Sequence, residues 1–210
     1  MYEAKNFDHL LGTAGFSDTL LKNHFTLYQG YVTNTNKLSD TLQEMVKTGK
    51  IGTPEYAELK RRFGWEFNGM RLHELYFGNM RHANSAPPPS GSGNANEPMR
   101  MDAVLDSESA LMKKIVEDFG NYENWEKDFK GTGAMRGIGW TILYYDPEAN
   151  RMFNVWINEH DFGHLAGCKT LLVLDVFEHA YVLDYGLKRA DYIEAFFKAI
   201  DWQAVTERFK

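Results

Sequence analysis

The chain has 210 residues, of which 43% are hydrophobic and 14% aromatic, enough for one packed core or two small ones. A net charge of −6 with no basic stripe excludes general nucleic-acid affinity, and no run of about 18 apolar residues is present to span a membrane. The one cysteine, Cys168, has no partner for an internal disulfide and reads as a packing residue. With no basic stretch followed by an apolar run in MYEAKNFDHL, the expectation is a soluble cytoplasmic protein.

Residues Asp18 to Lys47 predict a helix, capped by Ser17 or Asp18. Leu20, Leu21, His24, Leu27, Tyr28, Tyr31 and Val32 recur at three-and-four spacing, so His24 and Tyr31 share an otherwise apolar face. TGKIGTPEY (48–56) predicts a turn, and a second helix runs from about Pro54 to Met80. Its apolar face, with Phe67, Met70, Leu72, Leu75, Tyr76 and Phe77, again carries one histidine, His73. Two facing helices of this kind form an antiparallel hairpin able to supply two nitrogen ligands.

ANSAPPPSGSGNANEP (83–98) is the sharpest change in composition and marks a loop or linker. It divides a hairpin domain, residues 1–90, from a second domain, residues 91–210. Met99 to about Phe129 predicts helix, broken near Gly120. GIGWTILYYD and RMFNVWIN predict two strands about the turn PEAN, and Leu171–Leu174 a third. NEHDFGHLAG (158–167) between them is irregular and holds His160 and His164. Phe177–Tyr185 and Asp191–Phe197 predict two helices. The fold class is α+β: an N-terminal antiparallel helical hairpin, then an α/β domain with a three-stranded antiparallel sheet. His9 and His82 stand in polar surroundings and are expected to be solvated.

The stretch LLVLDVFEHAYVLDY (171–185) carries the chemistry. An apolar strand ends on Asp175, with His179 four residues later. Burying both costs heavily unless a partner offsets the dehydration. A metal ion would do so; a buried Asp–His hydrogen bond or an interface pair are the alternatives.

DVFEHAY (175–181), RADYIEAFFKAIDW (189–202), FGNYENWEKDFKGTGAMRGIGW (119–140) and YVTNTNKL (31–38) together resemble the iron/manganese superoxide dismutase family. The likeness runs from about Leu20 to the C-terminus, with a variable long loop. It implies one iron or manganese ion per subunit, held by His24, His73, Asp175 and His179. Three imidazoles and one carboxylate suit a redox-active first-row metal. It also implies a solvent fifth ligand, superoxide as substrate, and a cycle that releases dioxygen in one step and peroxide in the next. Tyr31 corresponds to the family's gateway tyrosine. Glu178 corresponds to the glutamate that reaches a partner's metal-bound histidine, so a homodimer is implied at least, with a tetramer left open.

Several residues depart from the family pattern. His24 and Tyr31 are seven apart rather than eight, and a histidine–tyrosine gateway pair is replaced by Leu27 and Val182. The glutamine that tunes the metal-bound solvent is missing from its two usual places, which hold Gly69 and Arg136. NEHDFGH resembles an N-H-x-x-x-H stretch of some archaeal members, so His160 is expected to take the glutamine's role, with His164 as its structural partner or the donor itself. Val173, where manganese-preferring relatives tend to carry glycine, implies iron or tolerance of either metal. The rival readings are a metal-binding structural or interaction protein of the same fold that has lost turnover, and an oxygen-activating iron protein.

Overall fold

The structure, a computed structural model, describes residues 1–81 and 105–210. The boundary expected at 90/91, the Pro/Gly-rich stretch 83–98 and His82 lie outside the described residues. Helix α1 spans Asp18–Lys47, and Ser17 caps it by accepting the Leu20 N–H. Asp184 in turn accepts the backbone N–H and the hydroxyl of Ser17, which ties the start of α1 to the far end of the chain. Helix α2 spans Pro54–Phe77, with Thr53 as cap and proline at the start, where its missing N–H costs nothing. The turn between them folds α2 back along α1.

The second half holds α3 (Ala110–Phe119), α4 (Tyr122–Gly133), β1 (Gly139–Asp146), β2 (Arg151–Asn158) and β3 (Lys169–Asp175). The strands form one antiparallel sheet in the order β2-β1-β3. Gly139 must be glycine: its φ is +144°, and a Cβ there would lie 1.9 Å from the Ile157 carbonyl oxygen. Registry sets Trp140 opposite Asp175, which brings the first residues of β1 beside the end of β3.

Two expectations need correction. The helix foreseen from Met99 starts at Ala110, capped by Ser109; residues 99–104 lie outside the described residues, and Leu105 to Ser109 are not helical. The helix foreseen over Phe177–Tyr185 is a 3-10 turn, Glu178–Ala180, and a four-residue α5, Val182–Tyr185. The break is at Tyr181, with φ −145° and ψ −25°, and its phenol oxygen accepts from the Arg189 guanidinium. Beyond it come α6 (Arg189–Ala199) and α7 (Trp202–Phe209); α7 was not foreseen, although Asp201 caps it by accepting the Gln203 and Ala204 N–H groups.

Among the described residues, strand β3 has β1 on one side and no strand on the other. Its outward carbonyls are satisfied by side chains: Leu171 by Arg208, Val173 by Asn79, Asp175 by the Tyr192 hydroxyl. Asn79, fully buried, also accepts the Val173 N–H. Asn79→Ala should therefore orphan two backbone groups of β3 and cost about 2–4 kcal/mol, read from the denaturation midpoint at unchanged m-value.

Candidate metal centre

Four elements send one side chain each to a common point: His24 from α1, His73 from α2, Asp175 from the end of β3, and His179 from the 3-10 turn. Their ligand atoms all lie within 4.8 Å of one another. His24 is 2% exposed, His73 and Asp175 are fully buried, and the His179 side chain keeps 27% exposure.

Hydrogen bonds fix which atoms face inward. Asp175 Oδ1 accepts the Phe177 N–H at 2.8 Å, leaving Oδ2 turned to the Nε2 atoms of His24 (3.2 Å), His179 (3.2 Å) and His73 (3.7 Å). His73 Nδ1 lies 2.6 Å from the Gly69 carbonyl, which can only accept, so Nδ1 carries the proton and Nε2 presents a lone pair. Among the described residues, the buried Nε2 atoms of His24 and His73 have no hydrogen-bond partner. A lone pair facing a carboxylate oxygen repels it; a cation between them removes the conflict. The donor set fits a first-row metal ion.

Electrostatics keep His24, His73 and Asp175 in their ligating forms. Burial pushes the His73 imidazole well below its usual range, with His24 adding to the effect. Burial also lowers His24, against the opposing pull of Asp175. For Asp175, burial alone would raise the carboxyl, but His179 and His24 outweigh it and hold it well below the usual carboxylate range. Neutral imidazoles around an ionised carboxylate are what metal binding requires.

A second group flanks the first. Tyr31 stacks on His73, with ring centroids 5.2 Å apart, and its hydroxyl lies 2.7 Å from His160 Nε2. Trp140 Nε1 donates to His160 Nδ1 at 3.0 Å. His160 is fully buried between the Phe177 and Trp65 rings, at 4.8 and 4.5 Å. His164 points elsewhere, to the Tyr144 hydroxyl and the His160 carbonyl. Of the two sites where a glutamine was sought, Arg136 is exposed, and the space over Gly69 is filled by Tyr31. A Cβ on Gly69 would stand 2.5 Å from the Tyr31 ring.

Leu27 and Val182 are 37% and 41% exposed, so Leu27 does not belong to the buried face of α1. Val182 lines a shallow surface hollow with Leu20, Asn23, Glu178, His179 and Leu183. Glu178 and His9 are exposed. Trp140, Trp65 and Phe177 were not singled out from the sequence. Trp140 stands in the block GIGW, where only its pairing opposite Asp175 reveals its place at the site.

Residues 107–208 match the profile of iron/manganese superoxide dismutases, C-terminal domain. The chain is 36% identical to a manganese superoxide dismutase of Haloferax volcanii over 187 residues, covering 89% of this chain and 83% of that one. It is 36% identical to an iron superoxide dismutase of Aquifex pyrophilus over 210 residues, covering 97% and 89%. An iron superoxide dismutase of Saccharolobus solfataricus is 32% identical over 186 residues, covering 87% and 80%.

The metal-free protein should lose stability in mild acid. His24 and His73 have lowered folded-state pKa values, and burial pushes His160 down to about 4. The unfolded chain thus binds protons first, and stability present above the ordinary histidine value of about 6.5 is lost as pH falls below it. Each histidine contributes a slope approaching about 1.4 kcal/mol per pH unit in that window. Denaturation midpoints from pH 7.5 to 5 should show this, and a flat profile would contradict it.

Proposed function

The chain belongs to the iron/manganese superoxide dismutase family, and on that footing we propose that His24, His73, Asp175 and His179 hold the iron or manganese ion at which it disproportionates superoxide to dioxygen and hydrogen peroxide. The observation that carries this reading is the convergence of the four donors, with two buried imidazole nitrogens that have no hydrogen-bond partner among the described residues. No feature among the described residues favours a scaffold that has lost turnover. The ion, when bound, supplies a one-electron couple that superoxide reduces and re-oxidises in turn. The donor set contributes a single negative charge, so a di- or trivalent ion in it leaves a positive field that draws a small anion in, despite the acidity of the chain.

The protein's own groups then manage protons. The Trp140 indole can only donate, so His160 Nδ1 must accept. His160, kept neutral by burial, carries its one proton on Nε2 and gives that bond to the Tyr31 oxygen. The Tyr31 O–H is therefore left to donate. Burial raises that phenol well above its usual range, so it keeps its proton across the neutral range. Tyr31 acts as proton donor to the departing peroxide, and His160, in place of the absent glutamine, sets the direction of the chain of bonds.

The site is shared across a two-fold dimer in this reading. His179 turns Nε2 to Asp175 while part of its ring stays exposed, leaving Nδ1 for a carboxylate from outside. Glu178, exposed beside it, is the carboxylate that a second copy would bring. The chain divides into a hairpin domain and a C-terminal domain near residue 90, a reading supported by the separate match over 107–208. Cytoplasmic residence is supported by the single cysteine; among the described residues no helix is long and apolar enough to cross a membrane.

Two measurements test these assignments. Protein reconstituted with iron or manganese should dismutate superoxide, with iron the better metal, because the buried Val173 stands two residues before Asp175. Activity with manganese alone would overturn the iron preference, and inactivity with both metals at full occupancy would overturn the function. Glu178→Ala should shift the dimer toward monomer in sedimentation and lower the metal content after dialysis. An unaltered dimer at full occupancy would remove Glu178 from the interface.

A further inference from the structure

We propose that His164 is the positioning residue for His160: it clamps the His160 backbone so that the imidazole stays between Trp140 and Tyr31. His164 Nε2 lies 2.9 Å from the His160 carbonyl oxygen. A carbonyl only accepts, so Nε2 carries a proton, and in the neutral ring Nδ1 is bare. Tyr144 Oη, 2.7 Å from that bare Nδ1, is then the donor. Asn68 Nδ2 also approaches Nε2, but at 3.5 Å and with a proton already there it makes no competing bond. Both nitrogens of His164 are thus committed, and its tautomer follows from its neighbours.

The loop needs such a clamp. Glu159, just before His160, has φ +51°, a costly conformation for a residue with a Cβ. Gly163, just before His164, has φ +107°. The loop is also tied by the Asn158–Phe162 backbone pair, by the Glu159 N–H to the Ile138 carbonyl, and by the Trp65 indole to the Glu159 carboxylate. None of these holds the His160 carbonyl; His164 does. Tyr144 sits 2% exposed on β1, so the clamp anchors the loop to the same strand that supplies Trp140. One strand therefore controls both the ring of His160, through Trp140, and its backbone, through Tyr144 and His164.

The proposal rests on reading His160 as the residue that directs Tyr31, and the test separates the two. Gln, Asn and Ala are placed at His164 in the iron-loaded enzyme, with metal content, melting temperature, visible absorption, kcat and KM measured for each. The glutamine amide nitrogen falls near the position of Nε2 and can still donate to the carbonyl, whereas the asparagine amide falls near Nδ1 and cannot reach it. His164→Ala and His164→Asn should lower kcat by about tenfold at unchanged KM and metal content and shift the visible band, while His164→Gln restores both. A crystal structure of His164→Ala should show the His160–Tyr31 bond lengthened. Should the alanine variant lose metal or fail to fold, the Asn–Gln comparison decides alone. Equal behaviour of Asn and Gln, or an alanine variant matching the parent, overturns the proposal. His160→Gln and His160→Ala serve as the control. If both leave kcat and the visible band unaltered, the reading of His160 itself falls; if they change them and the His164 variants do not, only the clamp falls.

Discussion

Everything in this molecule is arranged to keep one carboxylate, Asp175, ionised where water cannot reach it. A buried carboxylate without compensation would take up a proton. Here one oxygen is committed to the Phe177 N–H and the other faces three imidazole nitrogens, while the residue's carbonyl takes the Tyr192 hydroxyl. The long helices bring His24 and His73, the 3-10 turn brings His179, the sheet brings the carboxylate, and the α1 N-terminus is tied to Asp184 near the end of the chain. The imidazoles meet part of the cost of holding that charge in the interior, and a cation joining the cluster would meet more of it, which would couple folding to metal binding.

Around this cluster the hydrogen bonds have a direction. Trp140, His160 and Tyr31 form a sequence of donors that begins at an indole able only to give and ends at a phenol with its proton still available. A neutral imidazole carries one donor and one acceptor, and the indole decides which nitrogen is which. The polarity of the chain is thus set by the indole at its start.

Much of this was readable in the chain before folding. The limits of α1 match the foreseen Asp18–Lys47, because Ser17, the apolar spacing and the Gly-rich turn after it all agree. The three strands and their order along the chain were equally plain from β-branched and aromatic runs. Asp175 and His179 announced themselves as polar groups closing an apolar strand, but their pairing with His24 and His73 came from the family resemblance; spacing alone left it open. The interruption at Tyr181 was hidden, since it depends on Arg189 reaching back from another helix. The exposure of Leu27 was hidden too: helical periodicity names a face but not where the neighbouring element stops covering it. Trp140 and Gly69 acquire meaning only from register and close approach, which belong to the folded state.

Among the described residues, the outer edge of β3 is finished with side chains: Arg208, Asn79 and Tyr192 take the carbonyls that another strand would have paired with. An open edge at this place would be a template for a second chain to add itself by backbone pairing. Sealed as it is, the sheet has no growth point on the side that carries Asp175. A second copy approaching along β3 therefore finds those carbonyls and the Val173 N–H already taken, and backbone pairing at that edge is disfavoured.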